Sequence, residues 1–237
     1  MSKTFVVSQD VRTQSSVKQH ELGMKYEDSV GRIYRYARAG AANLVAGNIL
    51  VNSDLVTNHT NVAVAAAVAI GSTTVTATLG ATAATADQYA DGFLTVNDAT
   101  GEGITYAIEG NSAASSSGVI TVYLKEPVKV ALVATTSEVT LKPSNWADVV
   151  LSATDQADLC VGVSNTAVTA TYYFWAQTRG ECSVLADEAV AKGLALTIGT
   201  GTAGAVEALD GAGEVQIGVA SEALVDTENR SAFLTID

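Results

Sequence analysis

The chain has 237 residues, of which 48% are hydrophobic and 16% are charged, and its net charge is −12 at pH 7. This length suffices for one large β domain or two small ones. Ala and Val supply most of the apolar content, and Gly, Thr and Ser are abundant. Such usage favours many short strands joined by turns. The acidic balance argues against nucleic-acid binding by the body of the chain.

The charge is unevenly distributed. Residues 1–38 carry seven basic and four acidic residues, whereas residues 39–237 carry six basic and 21 acidic residues. Two interpretations stay open. The acidic residues form a solvated surface, or a basic N-terminal arm docks on an acidic partner while the acidic body faces solvent.

Targeting and redox signals are sparse. Two cysteines, Cys160 and Cys182, are too few for a disulfide framework. Residues 1–10 lack the apolar core of a secretory signal. The longest apolar run, residues 62–70, is shorter than the roughly 20 residues of a membrane-spanning helix. We therefore expect a soluble protein made in the cytoplasm, without membrane partners.

The N-terminal region divides into an arm and a strand. Residues 1–28 are polar, mixed in charge and without a steady apolar period, so we predict an extended arm. Alternation then begins, and it places Arg32, Tyr34, Tyr36 and Arg38 on one face of a predicted strand. That face is either a binding surface or ordinary amphipathic strand surface.

The middle of the chain, residues 58–149, is predicted to be a β domain inserted into the rest. Residues 62–70 fit a helix or a strand equally well by period alone. Residues 84–92 are the best short-helix candidate, with Gly92 as the C-cap. Alternating β-branched and apolar residues predict strands at 71–80, 93–98, 103–110 and 118–124.

The last third again predicts short strands, and one carries the aromatic run 172–175. Along that strand Tyr172 and Phe174 face one way, whereas Tyr173 and Trp175 face the other. We therefore expect cover on both sides, by the core and by a neighbouring subunit or the inserted domain. Residues 178–181, TRGE, are predicted to be the turn that ends the strand.

These elements predict an all-β fold of short-strand sandwich or barrel-like units with an extended N-terminal arm. The predicted domains are the arm (1–28), a β domain formed by 29–57 and 150–237, and the inserted β domain (58–149). Residues 44–51 and 189–197 share a pattern of a small apolar run, a glycine and a short strand, which suggests a weak internal repeat.

The candidate reactive groups favour structural roles. A cysteine nucleophile at Cys182 needs a base, but His20 lies in the arm and His59 in a polar loop. Residues 199–204, GTGTAG, match a dinucleotide motif, but Gly211 breaks the helix that the motif requires, which favours a hairpin. The acid pairs and histidines fit neither a calcium loop nor a zinc spacing. We expect no catalytic residues, no cofactor and no metal.

Five segments carry a resemblance to a known family. Residues 31–50, 101–111, 119–132, 161–193 and 215–224 resemble segments of small virion proteins of tailed bacteriophages, in particular capsid decoration (cement) and auxiliary head proteins. The resemblance implies a non-enzymatic protein on the outer surface of the capsid in the virion. It implies the major capsid protein and further copies of itself, as a homotrimer, as partners, and neither nucleic acid nor membrane.

Contact residues follow from the basic arm and the alternating strand. The residues expected to contact the capsid or another subunit are Lys3, Arg12, Lys18, Lys25, Arg32, Tyr34, Tyr36 and Arg38. Two alternative functions stay open. One is a head-fibre or adhesin-like β protein that binds a glycan or receptor, with Trp146 and the aromatic run as platforms. The other is a main shell or tail-tube subunit.

Overall fold

The structure, a computed structural model, describes residues 10–156 and 158–237. They form two compact units: unit 1 comprises residues 10–53 and 145–237, and unit 2 comprises residues 54–144. The sequence placed these boundaries four or five residues later along the chain. Both units are all-β, which confirms the predicted class. The described residues contain one short 3-10 helix, Thr57–His59, and no α-helix.

None of the helical segments in the described ranges is long and apolar enough to span a membrane.

Unit 1 contains a ten-stranded sheet and unit 2 a six-stranded sheet. Unit 1 is formed by the first three strands and the last seven, and unit 2 by the six between them. In chain order the strands are β1 (Lys25–Glu27), β2 (Ile33–Arg38), β3 (Ile49–Val51), β4 (Val62–Ala63), β5 (Thr74–Thr78), β6 (Phe93–Asp98), β7 (Thr105–Asn111), β8 (Val119–Leu124), β9 (Glu138–Lys142), β10 (Val150–Leu151), β11 (Cys160–Ser164), β12 (Tyr173–Leu185), β13 (Ala195–Ile198), β14 (Val206–Ala208), β15 (Gly218–Ala220) and β16 (Asn229–Thr235).

The sheet of unit 1 curls into two small barrel-like halves that share the long strand β12. In the first half β12 pairs with β2 and β11, and the ring continues through β3 and β10. A bridge between Ala39 and Val149 joins its ends. In the second half β12 pairs with β16, and the ring continues through β15, β13 and β14 to a bridge between Ala186 and Val206. Each half encloses its own apolar core.

Unit 2 forms one small barrel. Its strand order is β4-β9-β6-β7-β8-β5, and a bridge between Val64 and Ala77 brings β4 and β5 together. Strict alternation fills the interior: in β5, Val75 and Ala77 are buried while the threonines face outward. The predicted strands of this region are therefore present, and their period of two explains why they close around an apolar core.

Eight connections between strands share one backbone geometry. Each is a five-residue turn in which the fourth residue has a positive φ and the N–H of the fifth donates to the C=O of the second. The first residue is apolar and, except for the half-buried Ala114, fully buried. The turns are 44–48, 68–72, 84–88, 114–118, 132–136, 168–172, 190–194 and 224–228.

These turns associate in four reciprocal pairs. Leu44 and Val168 exchange two backbone hydrogen bonds, of 2.8 and 3.0 Å. The same exchange joins Val68 with Leu132, Ala84 with Ala114, and Val190 with Leu224. We call these the paired turns. Each pair ties together two connections that are distant in sequence, so a barrel end is closed by backbone bonds and a buried apolar residue rather than by a helix.

Two local predictions are wrong. Residues 84–92 form turns rather than a helix because Asp87 and Asp91 adopt positive φ values, which an α-helix excludes. Residues 178–181 do not end the aromatic strand either, because β12 continues to Leu185. Gly180 has φ +86° but stays paired with Leu234.

The N-terminal segment that the structure describes is packed rather than an extended arm. Trp175, Tyr34 and Tyr36 form a buried cluster, and apolar side chains from residues 11–26 lie against it. Tyr36 and Trp175 meet edge to face, with ring centres 5.1 Å apart. The segment also adds strand β1 to β2. The N-terminal segment therefore buries the face of the aromatic strand that carries Trp175. We had expected a neighbouring subunit or the inserted domain to cover that face.

The two faces of β12 yield a stability prediction. Phe174 lies in the first barrel core and Trp175 lies in the aromatic cluster, and neither side chain is exposed. Replacing either with alanine is expected to lower the free energy of unfolding by about 3–5 kcal/mol, because each leaves a large cavity. Denaturant unfolding of the whole chain measures this. Phe233→Ala, at an exposed site, is the control and should change it by about 0.5 kcal/mol or less.

The paired turns yield a second prediction. Gly193 has φ +88° and open space where a Cβ would lie, so Gly193→Ala should cost about 1 kcal/mol through backbone strain alone. Thr171 has φ +66°, so Thr171→Gly should instead raise the free energy of unfolding, by about 0.5–1 kcal/mol. Ala191→Gly, at a residue without positive φ in the turn of Gly193, is the control and should destabilise. A loss of stability in Thr171→Gly would contradict the strain argument.

Candidate docking site

Two of the predicted contact residues, Lys25 and Arg32, line one groove of unit 1. The groove has a volume of about 850 Å³ and runs over β1, β2, β12 and β16. Arg12 lies beside a second cavity, of about 300 Å³, and Arg32 lines both. We call the larger cavity the β12 groove. Its lining residues are Lys25, Glu27, Val30, Gly31, Arg32, Ile33, Arg179, Gly180, Glu181 and Phe233.

Arg32 is held in a fixed position at the groove. Its Nε donates to Oδ2 of Asp28 at 2.7 Å, and Oδ1 of Asp28 accepts the backbone N–H groups of Val30 and Arg32. Burial alone would raise the pKa of Asp28, but these hydrogen bonds outweigh it and hold that pKa below its usual range. Asp28 therefore fixes both the β1–β2 turn and the guanidinium.

Gly180 on β12 lies directly against Arg32. A Cβ at Gly180 would lie 3.1 Å from Cγ of Arg32, so that side chain would have to shift by a few tenths of an ångström, and φ +86° would strain any other residue there. The register between β12 and β2 shifts at the same place, between Gln177 and Arg179. The irregular strand and the missing side chain together form the floor of the groove.

The groove combines charged and apolar groups. Lys25 and Arg179 are exposed, and Arg12 and Arg179 make no ion pair with any residue that the structure describes. Val30 and Phe233 are 73% and 44% exposed. Free guanidinium groups beside exposed apolar side chains are what an extended acidic segment of another protein would contact.

The remaining predicted contact residues lie elsewhere. Tyr34 and Tyr36 are buried in the aromatic cluster, so their side chains are not available to a partner. Arg38 lies 3.3 Å from Asp148 in an exposed ion pair. Lys18 is exposed on the N-terminal segment. Lys3 lies outside the described residues.

Sequence reasoning missed Arg179 and Phe233 as groove residues. Arg179 was assigned to a turn, and Phe233 lies on the last strand, β16, which ends at Thr235. The alternation of β16, with Ala232 and Leu234 buried, was a usable signal that Phe233 faces outward. Nothing in the sequence pattern places Phe233 beside Arg32, because β12 alone brings β2 and β16 together.

Cys182 lies below the smaller cavity but is not activated. Burial raises the pKa of its thiol to about 12, which leaves almost no thiolate at neutral pH. Its Sγ donates to Oδ1 of Asn165 at 3.2 Å. The ring of His20 packs on Tyr36 and Trp175. His59 has both ring nitrogens engaged within unit 2, by the Tyr89 hydroxyl and by the C=O of Thr82.

The other sequence candidates have structural positions. Residues 199–204 connect β13 and β14, which pair as the predicted hairpin. Trp146 is covered by Gly23, where a Cβ would lie 2.7 Å from the ring, and its Nε1 donates to the C=O of Val161. A ring so covered offers no open platform for a sugar. Across residues 10–156 and 158–237, no group of three or more His, Cys, Asp or Glu side chains could hold a metal ion.

Comparison of the chain with protein-family models, with curated proteins and with solved structures finds no match. The assignment of a function therefore depends on the geometry and the charges of the chain itself, together with the resemblance of its segments.

The environment of Cys182 yields a prediction. In a Cys160→Ala variant, the folded protein should react with a thiol reagent at pH 8 far more slowly than the same protein in denaturant, because the pKa of the thiol is raised to about 12. Spectrophotometric thiol titration measures both rates. Reaction in the folded state at the rate of the unfolded chain would show that this thiol is accessible and ionised.

Proposed function

We propose that the protein is a non-enzymatic structural protein of a bacteriophage virion, which decorates the outer surface of the capsid and stabilises the shell. It docks on the major capsid protein through the β12 groove. The observation that carries the proposal is the gathering of three cationic side chains, Lys25, Arg32 and Arg179, around one concave surface of a chain with a net charge of −12. A fourth cation, Arg12, lines the smaller cavity, which shares Arg32 and Glu181 with the groove. The resemblance of five segments to decoration proteins supports the same function.

The charges indicate what the groove binds. Glu27 and Glu181 also line it, so the surface is mixed rather than uniformly basic. Mixed charges favour one register of a bound segment, because a shift places like charges together. The partner is an extended segment whose carboxylates meet Arg12 and Arg179 and whose apolar side chains cover Val30 and Phe233.

The groove is also suited to structural binding because its main parts are pre-organised. Arg32 is fixed by Asp28, and Ile33 and Gly180 lie in paired strands. A surface that is already ordered loses little conformational entropy when it binds. A decoration protein needs this property, since it must occupy many equivalent sites on a lattice with a modest contact at each.

Deletion of residues 2–28 would be a poor test, because it removes β1 and the cover of Trp175. Charge reversal at the groove avoids that problem. Capsids of the parent phage that lack the protein are expected to assemble, to rupture at a lower temperature, and to regain resistance when the purified protein is added. Arg179→Glu should weaken capsid binding by about tenfold or more, because an exposed cation is replaced by an anion.

The matched control is Lys192→Glu, an exposed cation of unit 1 that does not line the groove. It should bind like the unchanged protein, and raising the salt concentration should weaken the binding of both. Equal binding by Arg179→Glu would remove the groove from the proposal. Failure of shells to form without the protein would instead indicate a main shell subunit, and failure of the unchanged protein to bind would remove the decoration function.

A further inference from the structure

One side of unit 2 carries no charge. Residues 55–86 contain no Asp, Glu, Lys or Arg, and neither do residues 110–124 and 130–137. These three segments supply β4, β5 and β8 and three of the four turns that pair in this unit, 68–72, 114–118 and 132–136; the fourth, 84–88, contains Asp87. In a chain with 38 charged residues, 32 consecutive residues without one are unusual enough to require an explanation.

The outward side chains of β5 and β8 form the centre of this side. Thr78 pairs with Val119, Thr76 with Thr121, and Thr74 with Tyr123. Val119 and Tyr123 are 53% and 45% exposed. We call the outer surface of β4, β5 and β8 the uncharged face. The margins of this face are acidic, since Glu138 on β9 is the register partner of Ala63, and Asp87 and Glu109 line a cavity with Tyr123. Its uncharged centre therefore lies at Thr76, Thr78 and Val119.

The uncharged face continues onto one pair of turns. In turns 68–72 and 132–136 the exposed residues include Ile70 and Val133. The other pairs expose apolar residues too, Val45, Leu194 and Val225, but turns 190–194 and 224–228 also carry charged residues, and turns 84–88 and 114–118 expose mainly Ser, Thr, Asp and Gln. Since the backbone geometry is the same, the apolar surface of the first pair is a property of its side chains and not of the turn.

We propose that the uncharged face is the surface through which two copies of this chain contact each other. Each copy carries a net charge of −12, so identical acidic surfaces repel when they are brought together. Charges farther away than about 8 Å are largely screened at physiological salt, so the local charges decide. A face without charge is compatible with its own copy, whereas an acidic face is not.

The contact is made by side chains and not by addition of a strand. Both edges of β5 are already paired, with β8 on one side and with the chain after β4 on the other, where the N–H of Ala65 donates to the C=O of Thr76 at 2.8 Å. The second edge of β5 is therefore already occupied at its centre, which disfavours the addition of a further strand there. Small residues such as Ala, Thr and Val allow two such faces to approach closely.

The size of the face indicates a weak contact. Strands of five or six residues are about 17–20 Å long, and with the adjoining turns the face covers roughly 400–500 Å². A stable interface buries about 800 Å² on each partner. Self-association is therefore expected to be dependent on concentration in solution. In the proposed function, on which this step rests, copies held side by side on a lattice would make the contact readily.

Sedimentation equilibrium of the purified full-length protein, without capsids, tests the inference separately from the proposed function. The unchanged chain should associate reversibly as its concentration rises into the high micromolar range. Val119→Glu and Thr78→Glu should each weaken association about tenfold, because each places a carboxylate against its own copy. Unchanged thermal unfolding would show that both variants remain folded.

Phe233→Glu is the matched control, since Phe233 is exposed to a similar extent but belongs to the β12 groove of unit 1. It should leave association unchanged. Added salt should not weaken the contact, in contrast to binding through the groove. A chain that stays monomeric at every concentration would overturn the inference, as would undiminished association of Val119→Glu. Loss of association in Phe233→Glu alone would assign the contact to the groove instead.

Discussion

The four paired turns are the constraint on which both units depend. The chain passes over the ends of small barrels, where its backbone N–H and C=O groups leave water and need partners. Each pair supplies them reciprocally, as Leu44 and Val168 do, and the same two residues place apolar side chains in the barrel end. The geometry requires a left-handed residue at the fourth position of every turn. Glycine fulfils it in three turns, whereas Asp, Ser and Thr occupy the others with some backbone strain.

The composition follows from this architecture. Small barrels have little interior space, so Val, Ala and Leu fill them, and most larger aromatic side chains of unit 1 lie outside the barrel cores. Trp175, Tyr34 and Tyr36 therefore form a cluster on the outer surface of β2 and β12, and the N-terminal segment covers it. The basic N-terminal segment, which the sequence suggested was a free arm, is therefore part of the fold. It also places Arg12, Lys25 and Arg32 near β12, where Asp28 holds the guanidinium of Arg32.

Alternation predicted the all-β class and the strands β5 to β8, because a period of two is a direct signal of a half-buried strand. The errors arose where tertiary contacts override local pattern. Residues 84–92 have helical composition, but Asp87 and Asp91 are left-handed; Gly180 resembles a turn glycine, but it makes room for Arg32. Two of the eight turns were recognised as a weak repeat because both carry glycine at the fourth position. Turns 168–172 and 84–88 have Thr171 and Asp87 at the fourth position, so the sequence does not show that they belong to the same repeat. The β12 groove could not be predicted, since Phe233 and Arg32 are 201 residues apart.

The second barrel half, the β12 groove and the uncharged face differ in charge, and each is therefore suited to a different kind of contact. Residues 186–228, in the second barrel half, carry eight acidic residues and one basic residue, so like charges oppose a contact between two copies through this half. The β12 groove is mixed in charge, so its binding weakens with salt, while the uncharged face is indifferent to salt. Neither surface is large enough for strong binding alone. Under the proposed function, binding at one surface on a lattice would hold the other at a high effective concentration, so that two weak contacts would together give stable attachment. Under the proposed function, the acidic copies associate only weakly in solution, and more readily where a capsid brings them together.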